Sequence, residues 1–443
     1  MYPGILRILG ESGMYAELER LEALQSRSSE EVLESQRRRL ASILNYAQRL
    51  VPDYGELVGS QHRITAENAP QVLRTLPFIT KQDLQTRFDS LKAEPQPGRT
   101  TSKTTGGSTG QPVTVVKDAG ATAQERAASW LAYGWFGIRP GDRGARFWGS
   151  PRAIGKRRMR YAFADAAMNR IRFSAFGFNE AELESYWQRC LRFKPRYFYG
   201  YVSMLEAFSR FIVESGKDGS RLGLKAVITT SEVLGDPQRE LIEGSFEVAV
   251  QNEYGCGEVG PIAYECEAGS MHIMSENVLV ELLDESGDPV SVGEEGEIVV
   301  TDLNNRALPL IRYRIRDYAV HMGECACARG FPVLGSIRGR AYDTITVPDG
   351  RSFHGEFFMY LFEDLRDAGR QFERFKIIQT SARALEVEIQ TQDLQDAHLV
   401  SDVRDRLMNE FADMHIDVKL VREIILSDSG KHRLVENRTG PAS

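Results

Sequence analysis

"TTSKTTGGSTGQPVTVVKD", residues 100–118, packs six threonines, two serines and three glycines into nineteen positions and then turns into a β-branched run. Gly106, Gly107 and Gly110 permit backbone turns and close approach. Thr104, Thr105, Ser108 and Thr109 add hydroxyl and amide donors suited to phosphate oxygens. The stretch is not a P-loop, because Gln111-Pro112 stands where a Gly-Lys-Ser/Thr ending would be. Taken alone it reads equally well as a surface loop, so its meaning depends on what surrounds it.

The surroundings are those of a large globular chain. At 443 residues two or three domains are expected. An apolar share of 42% and a charged share of 26% fit an enzyme or binding protein. A net charge of −7 argues against a nucleic-acid-coating surface and gives no nucleic-acid partner. The first residues, "MYPGILRILGESGMY", are too soon interrupted for a signal peptide, and no run of 18 uncharged apolar residues follows. A cytoplasmic protein without membrane insertion is expected. Five cysteines in so long a chain are not a disulfide framework.

Along the chain, apolar Leu18, Leu21, Leu24, Leu33, Leu40, Ile43 and Leu44 predict helix over 15–50. From about 100 to 335, helical segments alternate with "KAVITT", "EVAVQNEYG", "NVLVELLD" and "GEIVVTDL", which predicts layered α/β architecture. Beyond 341, "RFKIIQT", "LEVEIQ" and "IDVKLVREIIL" read as strands around the amphipathic helix "DLQDAHLVSDVRDRLMNEFADM", a smaller α+β unit.

Five further stretches follow the Thr/Gly loop in order: "TTSEVLGD" (229–236), "NEYGCGEVG" (252–260), "GEIVVTDLNNRALPLIRYRIRDYA" (296–319), "GSIRGRAYD" (335–343) and "LSDSGKHRLV" (426–435). With "LPFITKQDL" (76–84) and "PRYFYGYVSMLEAFS" (195–209), the chain resembles the adenylate-forming superfamily of acyl-CoA synthetases. Within it the likeness is to the phenylacetate–CoA ligase-like branch that includes capsule-biosynthesis adenylating proteins. The resemblance implies a large N-terminal domain, residues 1–340, that binds ATP and a carboxylic acid. A small mobile C-terminal domain, 341–443, would carry the adenylation lysine.

It also implies roles. Thr104, Thr105, Gly106, Gly107, Ser108, Thr109 and Gly110 would hold the outgoing pyrophosphate, and Glu258 would coordinate magnesium, a hard cation that prefers oxygen. Asn252, Glu253 and Tyr254 would wall the adenine, with Ser231 and Glu232 on its other side. Asp317 would accept both ribose hydroxyls and Arg340 would hold the same end. Lys431 would bridge the acid and the α-phosphate; with Glu258 and Thr105 it makes the catalytic set. Two positions depart from the family: Arg316 stands where glycine usually precedes the aspartate, and Tyr342, followed by Asp343, stands at the interdomain hinge.

A second constellation is unnecessary for that chemistry. Cys266 and His272 form a C-x5-H pair and Cys325 and Cys327 a C-x-C pair, four ligands that suit a structural zinc. Related ligases with this arrangement carry zinc. Cys190 and Cys256 fall outside the set and read as packing residues.

The expected function is an ATP-dependent acid–thiol ligase passing an acyl group to CoA or a carrier protein's pantetheine arm. Transfer to an amine or hydroxyl, or a catalytically weak nucleotide-binding scaffold, stands as the alternative. A homodimer is compatible with either. Aromatic stretches at 130–148 (Trp130, Tyr133, Trp135, Phe136, Phe147, Trp148) and 197–201 could line an acid pocket, although core packing accounts for most of them.

Overall fold

The computed structural model describes residues 12–58, 63–105, 113–149, 164–175, 178–338, 345–349, 351–353, 355–411, 413–424 and 434–438. The helical stretch expected over 15–50 is built from two helices, Ser12–Leu24 and Ser29–Leu50. The break has a local cause: Ser28 Oγ accepts from the Glu31 amide at 3.2 Å while the Glu31 carboxylate accepts from the Ser28 amide at 3.1 Å. This Ser-x-x-Glu capping box starts a new helix inside the periodic stretch. Leu18 and Leu21 are buried against the helix Ala119–Trp135, whereas Leu33 lies outward at 40% exposure.

The Thr/Gly stretch is a β-hairpin. β1 (Thr100–Thr105) pairs antiparallel with β2 (Val113–Asp118), with Thr104 opposite Thr114 and Thr105 opposite Val113. Residues 106–112, which connect them, lie outside the described residues.

Downstream runs an eleven-stranded sheet. Its parallel half uses β3 (Gly144–Phe147), β4 (Arg170–Phe173), β5 (Tyr197–Tyr201), β6 (Ala226–Thr230) and β7 (Val250–Cys256). The other half uses β8 (Gly260–Glu265), β9 (Met271–Ile273), β10 (Val278–Leu283), β11 (Glu295–Asp302), β12 (Tyr313–His321) and β13 (Val333–Arg338). The order is β10-β11-β12-β13-β9-β8-β7-β6-β5-β3-β4. Helices Glu180–Phe193, Val202–Glu214 and Asp236–Phe246 intervene between the parallel strands, which explains why β6 is buried at every position.

β7 is the strand where the sheet changes character. Its first half pairs parallel with β6 through Val250 and Gln251, while Glu253 to Cys256 pair antiparallel with β8. Ligands in open parallel sheets bind beyond the carboxyl ends of the strands, the end of β7 included. "NEYGCGE" sits at that point. "LPFITKQDL" docks on the start of β12, where Ile79 exchanges backbone hydrogen bonds with Arg312 and Arg314 at 3.0 and 2.9 Å.

Toward the C-terminus, β14 (Ile345–Thr346) and β15 (Ser352–Phe353) form a short ladder. A four-stranded sheet follows, built from β16 (Arg374–Ser381), β17 (Ala384–Gln390), β18 (His415–Val421) and β19 (Val435–Asn437) in the order β18-β17-β16-β19. Helices Gly355–Asp367 and Ala397–Glu410 accompany it, and Phe362 stacks on Phe375 at 3.8 Å between centroids. The layered α/β expectation for the main body and the strand and helix pattern beyond it are what the chain adopts.

Candidate active site and metal centre

β7 and β8 are joined by a three-residue turn, Gly257-Glu258-Val259, because Cys256 pairs with Gly260. The tightness of this hairpin requires glycine at 255, where a Cβ would lie 2.5 Å from the Gly260 carbonyl oxygen. Glu258 is thereby held at the tip, 9% exposed. Lys117 of β2 anchors the turn: its ammonium donates to the Val259 carbonyl at 2.8 Å and pairs with the Glu125 carboxylate. The strand leaving the Thr/Gly hairpin is thus fastened beside Glu258. Burial raises the Cys256 thiol, with the Glu258 carboxylate adding to the rise, so Cys256 is not a ready nucleophile.

Tyr254 reaches across to the other predicted nucleotide contact, its hydroxyl donating to Asp317 Oδ2 at 3.0 Å. Asp317 owes its direction to a bulge. Glu297 opposes Tyr318 and Val299 opposes Arg314, so Ile315, Arg316 and Asp317 face the one residue Ile298. Arg316 sits in that bulge with φ at 71°. The backbone region that favours glycine is kept here by an arginine, whose guanidinium lies 3.7 Å from Glu297.

The neighbours of Tyr254 turn elsewhere. Glu253 accepts from Tyr199 at 3.0 Å, Thr230 at 3.1 Å and Tyr133 at 3.2 Å. Burial raises its carboxyl, and hydrogen bonds from Tyr199, Tyr264, Thr230 and Tyr133 oppose the rise. Its carboxylate is therefore the hub of a hydroxyl cluster. Asn252 accepts from Thr229 at 3.1 Å, one strand from the Ser231-Glu232 turn. Ser231 has φ at 68°, and Glu232 accepts from the amide and hydroxyl of Ser203 at 2.5 and 2.8 Å.

Of the predicted set, Tyr254 and Asp317 are in contact, Glu258 is four residues along the same hairpin, and Thr104 and Thr105 end β1. Gly106, Gly107, Ser108, Thr109, Gly110, Arg340, Tyr342, Asp343 and Lys431 lie outside the described residues. Sequence reasoning missed Lys117 and Glu125. One signal was available: Lys117 falls on the Val113, Val115 face of β2, and a lysine on the buried side of a strand calls for a partner.

The second constellation comes together as well. The ligand atoms of Cys266, His272, Cys325 and Cys327 all lie within 4.8 Å of one another. Cys266 and Cys325 sulfurs are 3.6 Å apart, and His272 Nε2 is 3.1 Å from the Cys327 sulfur. Such separations match the edges of a tetrahedron with metal–ligand bonds of about 2.0–2.3 Å. His272 Nδ1 lies 2.9 Å from the Phe331 carbonyl; a proton there fixes the tautomer that leaves Nε2 for a metal. Burial pushes the Cys266 thiol up to about 11. Burial acts likewise on Cys325, but hydrogen bonds from Ser270, Cys327 and His272 outweigh it and bring that thiol down to about 6. The donor set fits zinc.

No protein-family model matches the chain. It is 25% identical over 310 residues to Protein CapK of Staphylococcus aureus, a match covering 68% of this chain and 65% of CapK. It is 28% identical over 156 residues to a phenylacetate-coenzyme A ligase of Thermus thermophilus, covering 33% and 35% respectively. The matched stretches thus span 65% and 35% of the two relatives. Among solved structures, 2-hydroxyisobutyryl-CoA ligase, in complex with 2-HIB-AMP and CoA, shares the fold: TM-score 0.61 at 17% identity, over 94% of this chain and 91% of that one. The chain has the architecture of the CoA ligases. In sequence the chain is similar to CapK and to phenylacetate-coenzyme A ligases. No described helix is long and apolar enough to cross a membrane.

Proposed function

We propose that this chain is an ATP-dependent, AMP-forming ligase that activates a carboxylic acid and passes the acyl group to a thiol, on CoA or on a carrier protein's pantetheine arm. The observation that carries the reading is the Tyr254–Asp317 hydrogen bond at 3.0 Å, which links two motif residues far apart in sequence beside the Glu258 turn.

In the first step a carboxylate oxygen attacks the α-phosphorus, a C(O)–O–P bond forms, and the bond to pyrophosphate breaks. Tyr254 presents a flat wall to the adenine and orients Asp317 toward the ribose hydroxyls. Glu258 would hold magnesium, which when bound neutralises phosphate charge. Lys117 keeps the Glu258 turn in register with the strand that follows the Thr/Gly loop. Lys431 neutralises charge as it moves onto pyrophosphate, and residues 341–443 rotate to withdraw it. In the second step the thiol sulfur attacks the acyl carbon, AMP leaves with the bonding pair, and the thiol proton passes to solvent. The zinc would tie the end of β8 and β9 to the segment before β13 and takes no part in either step. A cytoplasmic setting fits the reduced thiols this requires.

The test is a pyrophosphate-release screen with ATP over aryl, fatty, hydroxy and amino acids, repeated with CoA. One acid class should release pyrophosphate and, with CoA, yield thioester. Nucleotide binding without pyrophosphate from any acid would favour the scaffold instead. Pyrophosphate without thioester, but with an amide or ester when amine or alcohol acceptors are offered, would favour the other acceptors.

A further inference from the structure

The parallel edge of the sheet carries a group of arginines that the adenylation chemistry does not use. Arg146 on β3 and Arg172 on β4 are register partners, and Arg170 lies two residues back on β4. Asp165, only 7% exposed, accepts from Arg170 at 2.5 Å and from Arg172 at 3.0 and 3.1 Å. Burial works against the Asp165 carboxylate, yet hydrogen bonds from Arg172 and Arg170 hold it below the usual range. That carboxylate is already committed.

Arg146 has no ion pair among the described residues, and its buried Nε has no hydrogen-bond partner among them. Its guanidinium lies 4.6 Å from the centre of the Trp148 ring and 5.0 Å from that of Tyr199. Trp148 stacks in turn on Tyr201 at 4.4 Å. Aromatic faces attract a cation but do not take up its N–H donors. The β3–β4 connection adds little counter-charge: residues 150–163 contain five Lys or Arg and no Asp or Glu, and the one acid of the connection is Asp165, held by Arg170 and Arg172. Burial, and after it the Arg146 cation, lower the Arg170 guanidinium against the pull of Asp165.

The position is informative. Arg146 pairs in register with Tyr199 of β5, and the Tyr199 hydroxyl donates to Glu253, next to Tyr254. The guanidinium, without an ion pair among the described residues, therefore lies along the same carboxyl-end rim of the parallel strands as the candidate nucleotide contacts, three strands along from β7. A planar fork of donors with no carboxylate among the described residues, walled by aromatic rings, is suited to a carboxylate or phosphate on an organic body.

We infer that Arg146, backed by Arg172 and walled by Trp148 and Tyr199, binds a second anionic group on the acid that this chain activates, so that its substrate is a dicarboxylic or phosphorylated acid rather than a simple fatty or aryl acid. This rests on the ligase reading and names its substrate class.

The experiment compares acids of matched length in pyrophosphate release: butanoate with succinate, hexanoate with adipate, and 4-phosphonobutanoate. The wild type should prefer the doubly anionic member by at least tenfold in kcat/KM. Arg146→Met should lower kcat/KM for that member by roughly 10–100-fold, the effect of losing one charged hydrogen-bond partner, and affect the singly anionic acid less. Arg146→Lys should recover part of the preference. A wild type that favours butanoate and hexanoate, or an Arg146→Met enzyme that keeps the doubly anionic preference, overturns the assignment. So does a rise confined to the KM for CoA, which would give the arginine to an acceptor phosphate. If no acid releases pyrophosphate, the ligase reading fails by itself and binding decides. Succinate, adipate or phosphonobutanoate should then quench tryptophan fluorescence saturably in wild type and not in Arg146→Met; no saturable change in wild type overturns the site.

Discussion

Replacing Lys117 by Met removes the cation that fastens the Glu258 turn and leaves the Glu125 carboxylate without its partner. The two side chains are only 13% and 23% exposed. Breaking a buried pair from one side costs about 3–5 kcal/mol, chiefly because the remaining charge is stranded. Burial already raises the Glu125 carboxyl against the pull of Lys117, and without Lys117 the rise is larger. The native state then binds a proton more tightly than the unfolded chain. Stability of Lys117→Met should therefore increase as pH falls through the folded value, and level off below the ordinary carboxyl range. The assay is urea unfolding of both proteins at mildly acidic and mildly alkaline pH. The deficit should be largest at alkaline pH and shrink on acidification. A Lys117→Met/Glu125→Gln double variant should recover at least about 1 kcal/mol relative to the sum of the singles. Additive singles and a deficit independent of pH would refute the buried-pair argument.

Tyr254→Phe removes the hydrogen bond to Asp317, worth about 1.5–3 kcal/mol to a charged acceptor, and should raise the KM for ATP roughly tenfold or more with a smaller change in kcat. Cys325→Ser should abolish a zinc content of about one equivalent in metal analysis and lower the unfolding temperature by roughly 2–4 °C per kcal/mol lost. A metal-free wild type prepared without chelator would reject the zinc site and leave the adenylation account standing. Arg316→Gly should not destabilise by more than the pair between the exposed Arg316 and Glu297 contributes, about 0.5 kcal/mol, because glycine relieves the positive φ and Glu297 keeps Arg314; a larger loss in thermal unfolding would mean the arginine has another role.

Some of this arrangement is written locally and some is not. Strands such as Ala226–Thr230 and Glu295–Asp302 are legible because burial on both faces favours β-branched runs, Val227 to Thr230 and Ile298 to Thr301. The Cys/His cluster is legible because its four ligands fall in two short spacings that strand pairing brings together, β9 against β13. The break at Ser28 was readable from its Ser-x-x-Glu capping box, yet apolar spacing alone runs straight through it. Arg316 shows the opposite case: the residue type conceals a left-handed backbone that only the β12 bulge imposes. The hydroxyl cluster around Glu253 draws Tyr133, Tyr199, Thr230 and Tyr264 from a helix and three strands, so no window of sequence contains it. The Arg146 group is equally non-local, since parallel register alone sets it beside Arg172 and Tyr199.

The central claim is that a carboxylate oxygen of the acid attacks the α-phosphorus of ATP. An acid labelled with heavy oxygen in both carboxylate positions tests it directly. Once an acid that releases pyrophosphate is in hand, the reaction is run to thioester and the nucleotide analysed by mass spectrometry. One labelled oxygen should appear in AMP and none in pyrophosphate, because the thiol displaces AMP together with the oxygen that made the bond. Unlabelled AMP, or label in inorganic phosphate with ADP as the product nucleotide, would contradict it.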